Sequence, residues 1–307
     1  RNLSIGEQQM LTILKVLFRD PRIIVLDEPT APLSIQEVET LFTLVDTLKS
    51  RGTTILYITH ELPHVQQLCD RITVLRNGER VGTVAAEDTS EADIVRMMIA
   101  KDLENQYPKK EIELNRDQPA LRIEGLTTTT GLFSGIDITI GRGEIVGFAG
   151  LVGSGRSELA ETLFMGTEFE RGDVSINGKR FIPGSSQRAI RSGLVYIPED
   201  RRERGLIPDF DVKENLAIPH HARFSQSGFI RFRPLTDHLQ SIVDGLSVKI
   251  SGFQQVASTL SGGNQQKVSV GKWFGIDAAV WIFDEPTQGI DVETKAEIYE
   301  IMGRLAA

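Results

Sequence analysis

Residue types suited to holding phosphate stand together in Gly150-Leu-Val-Gly-Ser-Gly-Arg-Ser157. Gly150, Gly153 and Gly155, with Ser154 between them, let the backbone curl so that its N–H groups aim at phosphate oxygens. The helical pattern that follows the stretch puts a helix dipole behind the loop, Arg156 and Glu158 flank Ser157 as further nucleotide-binding candidates, and the Ser157 hydroxyl suits Mg²⁺. Arg156 stands where the usual phosphate-loop pattern has lysine. It keeps the positive charge but swaps a compact ammonium for a wider planar fork, which preserves phosphate binding better than transition-state geometry. Taken alone, the stretch also reads as an ordinary glycine-rich turn between a strand and a helix.

A second chemistry lies in Val280-Trp-Ile-Phe-Asp284-Glu285, an apolar strand ending in two acids, and in its twin Ile23-Ile-Val-Leu-Asp27-Glu28. Asp284 or Asp27, delivered by a buried strand, suits the coordination shell of Mg²⁺; Glu285 or Glu28 suits polarising an attacking water. A serine and glycine block precedes each strand, Leu260-Ser-Gly-Gly-Asn264 in one case and Leu3-Ser-Ile-Gly-Glu7 in the other. Ser261, Gly262 and Gly263 offer a hydroxyl and free N–H groups to an anion, although a lone Ser-Gly-Gly is simply a helix cap. Ser4 and Gly6 hold the matching positions, with Ile5 and Glu7 less hospitable to phosphate. Leu3 and Leu260, Asp27 and Asp284, and Thr30 and Thr287 each stand 257 residues apart, the signature of two related domains in tandem.

Positioning these groups requires a parallel sheet. Apolar runs at Ile23 to Leu26, Thr54 to Ile58 and Arg71 to Leu75 alternate with helical stretches at Ile35 to Ser50 and Glu61 to Cys69, a βαβ pattern with helices covering the sheet. The apolar stretch Ile145 to Ala149 is expected as the strand that feeds the glycine loop. Asn77-Gly78 and Asn177-Gly178 signal hairpins. Lys101 to Ala120, with nine charged residues and two prolines, reads as a linker. From about Gln187 to Thr259 the pattern is more helical and loop-rich, as in an inserted subdomain.

The charge balance of −8 gives no general reason to bind nucleic acid, and the run Glu199-Asp-Arg-Arg-Glu-Arg204 mixes both signs, as a solvated loop does. Cys69, the single cysteine, rules out an internal disulfide and fits a reducing compartment. No apolar run approaches the roughly 18 residues a membrane helix needs, so a membrane role requires a partner.

Glycine loop, LSGG block, DEPT strand and the histidine of Ile58-Thr-His60 together resemble an ATP-binding cassette (ABC) ATPase. The pairing of LSIGxQQ with LSGGNQQK, the loop reading GxGR-S-E, and Tyr196-Ile-Pro-Glu-Asp-Arg201 are similar to the tandem ATPase subunits of bacterial monosaccharide importers, ribose, galactose or xylose types. The resemblance implies an α/β P-loop NTPase fold, with ABC-type nucleotide-binding domains made of a RecA-like core, an antiparallel β subdomain and a helical subdomain. It divides the chain into the end of a first domain (1–100), a linker (101–120) and a second domain (121–307).

The same resemblance implies ATP and Mg²⁺ as ligands, His60 as the switch residue sensing the γ-phosphate, and Glu199 in place of the glutamine that contacts Mg²⁺. In that family two cassettes dock head to tail, so the phosphate loop at Gly150 would face Ser4 and Gly6. Ser261, Gly262 and Gly263 would face a loop expected before Arg1, and the second switch position would fall at 317. The chain therefore reads as a piece of a longer polypeptide with little ATPase activity by itself. Implied partners are integral membrane permease subunits, a periplasmic or surface solute-binding protein and a possible second ATPase copy, with no nucleic acid. The expected location is peripheral, on the cytoplasmic face of the plasma membrane. Import of nucleosides or a sugar-like signal is an alternative; so are a soluble tandem cassette acting on ribosomes or nucleic acid and a nucleotide-binding regulatory module.

Overall fold

Apolar runs followed by capped helices generate parallel strand pairs, and both halves of the chain use this unit. The computed structural model describes residues 5–17, 21–30, 33–59, 61–76, 78–98, 118–151 and 153–306. It divides into two compact units, residues 1–106 with 291–293, and residues 107–290 with 294–307.

In the first unit α1 (Ile5–Leu17) precedes β1 (Ile23–Asp27), and α2 (Ile35–Ser50) crosses over to β2 (Thr54–Ile58), which runs parallel to β1 with Asp27 opposite Ile58. Ser34 starts α2 through a capping box, its hydroxyl accepting from Glu37 N while its own N–H donates to the Glu37 carboxylate at 2.8 Å. Such caps contribute about 1 kcal/mol. Ile24 and Leu26 bury against Leu41 and Val45 of α2, whereas Ile23 and Val25 on the opposite face are 67% and 58% exposed. The described residues thus cover one face of this sheet, not both. After α3 (Leu62–Leu68), β3 (Arg71–Arg76) and β4 (Glu79–Ala85) form the expected antiparallel hairpin. With α4 (Glu91–Met98) they enclose a small core of Val65, Ile72, Val74 and Ile94.

The second unit opens on a four-stranded antiparallel sheet ordered β6-β5-β7-β8, built from β5 (Leu121–Thr128), β6 (Ile136–Ile140), β7 (Phe169–Ile176) and β8 (Lys179–Phe181). Asn177 at φ 49° and Gly178 at φ 73° make the tight turn between β7 and β8 that an Asn-Gly pair favours. The helix α5 (Arg156–Met165) lies between β6 and β7 in sequence; α6 (Ser186–Arg191) leads into β9 (Leu194–Ile197). A helical layer follows, with α7 (Val212–Ala217), a short hairpin of β10 (Ser225–Gln226) and β11 (Phe229–Ile230), α8 (Phe232–Gly245) and α9 (Gly262–Gly271). The chain returns as β12 (Val280–Phe283), parallel to β9 with Phe283 opposite Ile197, and then α10 (Val292–Leu305). One continuous core joins Leu163 and Phe164 of α5, all of β9, Val268 and Val270 of α9, and Ile298 and Ile301 of α10. This is an α/β fold with an antiparallel sheet and a helical layer attached to a parallel core.

Two expectations change. Residues 145–149 are irregular rather than a strand, with Ile145 57% and Phe148 48% exposed. A strand exists only through hydrogen bonds to a neighbour, and among the described residues no strand pairs with this stretch. Most of the linker, 101–117, lies outside the described residues; its last residue, Ala120, is buried and donates to Ile140 O at 2.8 Å, so it belongs to the second unit's sheet. Among the described residues no helix is long and apolar enough to cross a membrane.

Candidate functional site

Glycine makes the curl before α5. Gly153 at φ 81° and Gly155 at φ 95° adopt left-handed backbone, and a Cβ on Gly150 would run into the Ser154 side chain. Ser154 N closes the turn on Leu151 O at 3.0 Å, and Gly155 is the residue from which α5 starts. The first-turn N–H groups of this ten-residue helix are those that an anion satisfies. Glu158 is exposed in the same turn.

Parallel pairing of β9 and β12 brings the residues after each strand to the same end of the sheet. There Ser157, Glu199 and Asp284 share a cavity of about 310 Å³, with Tyr196, Glu161 and Arg204 also in its wall. The Tyr196 hydroxyl donates to Asp284 Oδ2 at 3.0 Å. Burial and the adjacent Asp284 carboxylate push the phenol pKa far up, so Tyr196 stays a donor. Ser157, Asp284 and Glu199 are all oxygen donors, the set a hard cation prefers.

Glu285 sits at φ 40° and its twin Glu28 at φ 45°, a left-handed conformation that costs roughly 1–2 kcal/mol for a non-glycine residue. Each precedes a proline, which already disfavours right-handed helical backbone. The same strain at both copies turns each glutamate away from the strand direction. Arg156 Nη1 meets Glu285 Oε1 at 2.6 Å. Both side chains are partly exposed, so the pair adds no more than about 1 kcal/mol to stability. The loop's cation and the acid that follows β12 thus occupy each other.

The block at the start of α9 serves packing as well. Ser261 is the cap of α9, its hydroxyl accepting from Asn264 N at 3.4 Å and Nδ2 at 2.9 Å, and it remains exposed. A Cβ on the buried Gly263 would lie 2.5 Å from Thr294 Oγ1, and one on Gly262 would lie 2.9 Å from Arg201 Nη2. These glycines are therefore needed inside their own unit, whatever they also offer an anion.

In the first unit Asp27 ends β1 exposed, Glu28 N donates to Ile58 O at 2.9 Å, and Thr59 Oγ1 donates to Glu28 Oε2 at 3.4 Å. Gly6 lies in α1. Ser4 and His60 fall outside the described residues.

The run from Glu199 to Arg204 is solvated as expected, all but Arg201 being exposed, but it is a helical turn and not a loop. Asp200 caps a wide helical turn, Arg201–Gly205, accepting from Arg202 N at 2.9 Å and Glu203 N at 3.0 Å, and Gly205 N closes it on Asp200 O at 3.2 Å. Its arginines fan out to three different elements: Arg201 donates to Gln288 O and Gly289 O, Arg202 Nε to Gln265 Oε1 at 3.4 Å, and Arg204 pairs with Glu161. The Lys272 ammonium donates to Gly205 O. Three arginines within four residues, directly after a strand end bearing an acid, were the available signal. Tyr196 was equally unassigned by the sequence, because its role depends on β12 lying beside β9.

A protein-family model described as ABC transporter matches residues 1–31 and 133–288. The chain is 42% identical over 305 residues to a protein of Halalkalibacterium halodurans named ribose import ATP-binding protein RbsA, covering 99% of this chain and 60% of the relative. It is 38% identical to the protein of the same name from Geobacillus kaustophilus, with 99% and 61% covered. Against ribose import ATP-binding protein RbsA 1 of Streptomyces avermitilis the identity is 40%, with 100% and 58% covered. The chain thus spans about 60% of the length of the curated relatives it matches. A solved nucleotide-free ATP-binding cassette from an ABC transporter aligns with TM-score 0.51 at 20% identity, covering 61% of this chain and 77% of that one, a likeness of fold.

Proposed function

Because the chain belongs to the ABC transporter family, we propose that it is part of an ATPase subunit that binds Mg-ATP and energises sugar import through a separate membrane permease. The observation that carries the nucleotide reading is the shared cavity of Ser157, Glu199 and Asp284 beside the glycine curl. The relatives' names support sugar, ribose foremost, as the solute class.

In this reading the N–H groups from Gly153 to Ser157, backed by the α5 dipole, hold the phosphates. Ser157, Asp284 and Glu199 would hold Mg²⁺, which would supply charge neutralisation at the phosphates. Tyr196 fixes the orientation of Asp284, and Glu285 polarises the attacking water once Arg156 releases it toward phosphate. Glu28 and Asp27 play the corresponding roles in a second nucleotide site whose phosphate loop is supplied by polypeptide outside this sequence, in keeping with the greater length of the relatives. His60 is the switch residue of that site, and Ser4, Gly6, Ser261, Gly262 and Gly263 belong to the blocks that close over nucleotide. The two units are then the latter part of one cassette and most of another. The site at Gly150–Ser157, with Arg156 engaged by Glu285, binds nucleotide and turns it over slowly.

The subunit works peripherally at the cytoplasmic face of the membrane, with permease and solute-binding protein as partners. Affinity purification of the subunit at the relatives' full length, from detergent-solubilised membranes, tests this. Recovery of a hydrophobic permease that stimulates ATP turnover is expected, and recovery of ribosomes or nucleic acid in its place contradicts the transport reading.

A further inference from the structure

Arg201 stands at a junction of three segments of the second unit. Its Nη1 donates to Gln288 O at 2.8 Å and its Nη2 to Gly289 O at 3.1 Å, both in the loop that follows Glu285. A Cβ on Gly262, at the start of α9, would lie 2.9 Å from Arg201 Nη2 and 3.2 Å from Gly289 O, so the helix start, the guanidinium and the loop are in direct packing contact. The third segment is Arg201's own turn, two residues beyond Glu199, closed by Asp200 and held from α9 by Lys272 through Gly205 O. On Gly205 a Cβ would meet Ser269 Oγ at 2.7 Å and Arg201 Cβ at 3.2 Å, so this turn too has no slack against α9.

We propose that Arg201 is a positioning residue, a clasp that sets the loop carrying Glu285 and the Ser261–Gly263 helix start in one fixed relation to Glu199. A guanidinium suits this task because its planar fork reaches two successive carbonyls at once, which a single ammonium does not. Arg201 is absent from the cavity wall shared by Ser157, Glu199 and Asp284. Its effect is therefore on the arrangement of the reacting groups and not on phosphate affinity. The consequence for turnover rests on the ATPase reading above; the clasp itself does not.

The test compares the unsubstituted protein with Arg201→Lys and Arg201→Met by amide hydrogen exchange. Exchange in residues 286–291 and 261–266 is expected to rise about tenfold or more in both variants, while α8 amides stay protected and report an intact fold. In the subunit at the relatives' full length, Mg-ATP turnover in both variants should fall about fivefold or more with KM within about twofold, the split that marks lost positioning. Unchanged exchange in the two segments overturns the clasp, and a rise in exchange with turnover unaffected overturns its consequence for turnover. A uniform rise including α8 in both variants also overturns it, since Arg201 is then a general stability residue. If the unsubstituted protein turns over no ATP, the ATPase reading fails and the exchange comparison alone decides the clasp.

Discussion

Tyr196 commits one oxygen of Asp284 to a hydrogen bond and so aims the carboxylate. A hydrogen bond to a charged group is worth about 1.5–3 kcal/mol, so Tyr196→Phe should raise the Mg²⁺ concentration needed for nucleotide binding by about tenfold. Titrating Mg²⁺ against binding of a fluorescent ATP analogue measures this; an unchanged midpoint contradicts the proposed part of Asp284 and Tyr196 in holding Mg²⁺. Residue types were the most legible level of this chain. The glycines of the phosphate loop, Ser157, Asp284 and Glu285 follow from local patterns, because backbone curl and strand-end acids are determined by neighbours in sequence. Tyr196 and Arg201 were not legible, because their partners lie 88 and 87 residues away. The pairing of Arg156 with Glu285, 129 residues apart, escaped the same way, although each was singled out separately.

Among the elements, the helical layer carries a pH-sensitive contact. His220, fully buried at the end of the short turn Ile218–His220 that follows α7, meets the His238 ring of α8 edge-on at 4.7 Å, with Arg223 and His221 as the other cationic neighbours. Burial first, then the charge of His238, lowers the His220 pKa to about 4. A depressed histidine pKa means that the unfolded chain takes up the proton first, so stability is full above the ordinary value near 6.5 and is lost as pH falls toward 4. His220→Gln should flatten the fall in unfolding free energy between pH 7 and pH 5 by on the order of 2 kcal/mol, read from urea denaturation at the two pH values. A fall as steep as in the unsubstituted protein would exclude His220 as the cause. At this scale the capped helix α2, both Asn-Gly hairpins and the parallel strands were legible from period and turn chemistry. The irregular stretch 145–149 was not, since apolar content shows that a strand is affordable and only a neighbour makes one. Ile23 and Val25 make the same point: four apolar residues in a row implied burial on both faces, and the described residues cover one.

For the whole molecule, the exact 257-residue repeat made the tandem organisation and the α/β fold readable, because duplicated sequence implies duplicated structure. The aligned copies also differ in quality, since Ile5 and Glu7 stand in one block where the other has Gly262 and Asn264, and Arg156 replaces the usual lysine. Both glutamates share the same left-handed strain, and Glu285 is held by the arginine that replaces the usual lysine. Arg156, Ile5 and Glu7, the departures from the family's pattern, predict unequal work from the two copies. The decisive measurement is Mg-ATP turnover, at the relatives' full length and with permease present, for Glu28→Gln and Glu285→Gln separately. Glu28→Gln is expected to lower turnover about a hundredfold or more and Glu285→Gln only a few-fold; equal losses from the two substitutions would contradict the division of labour.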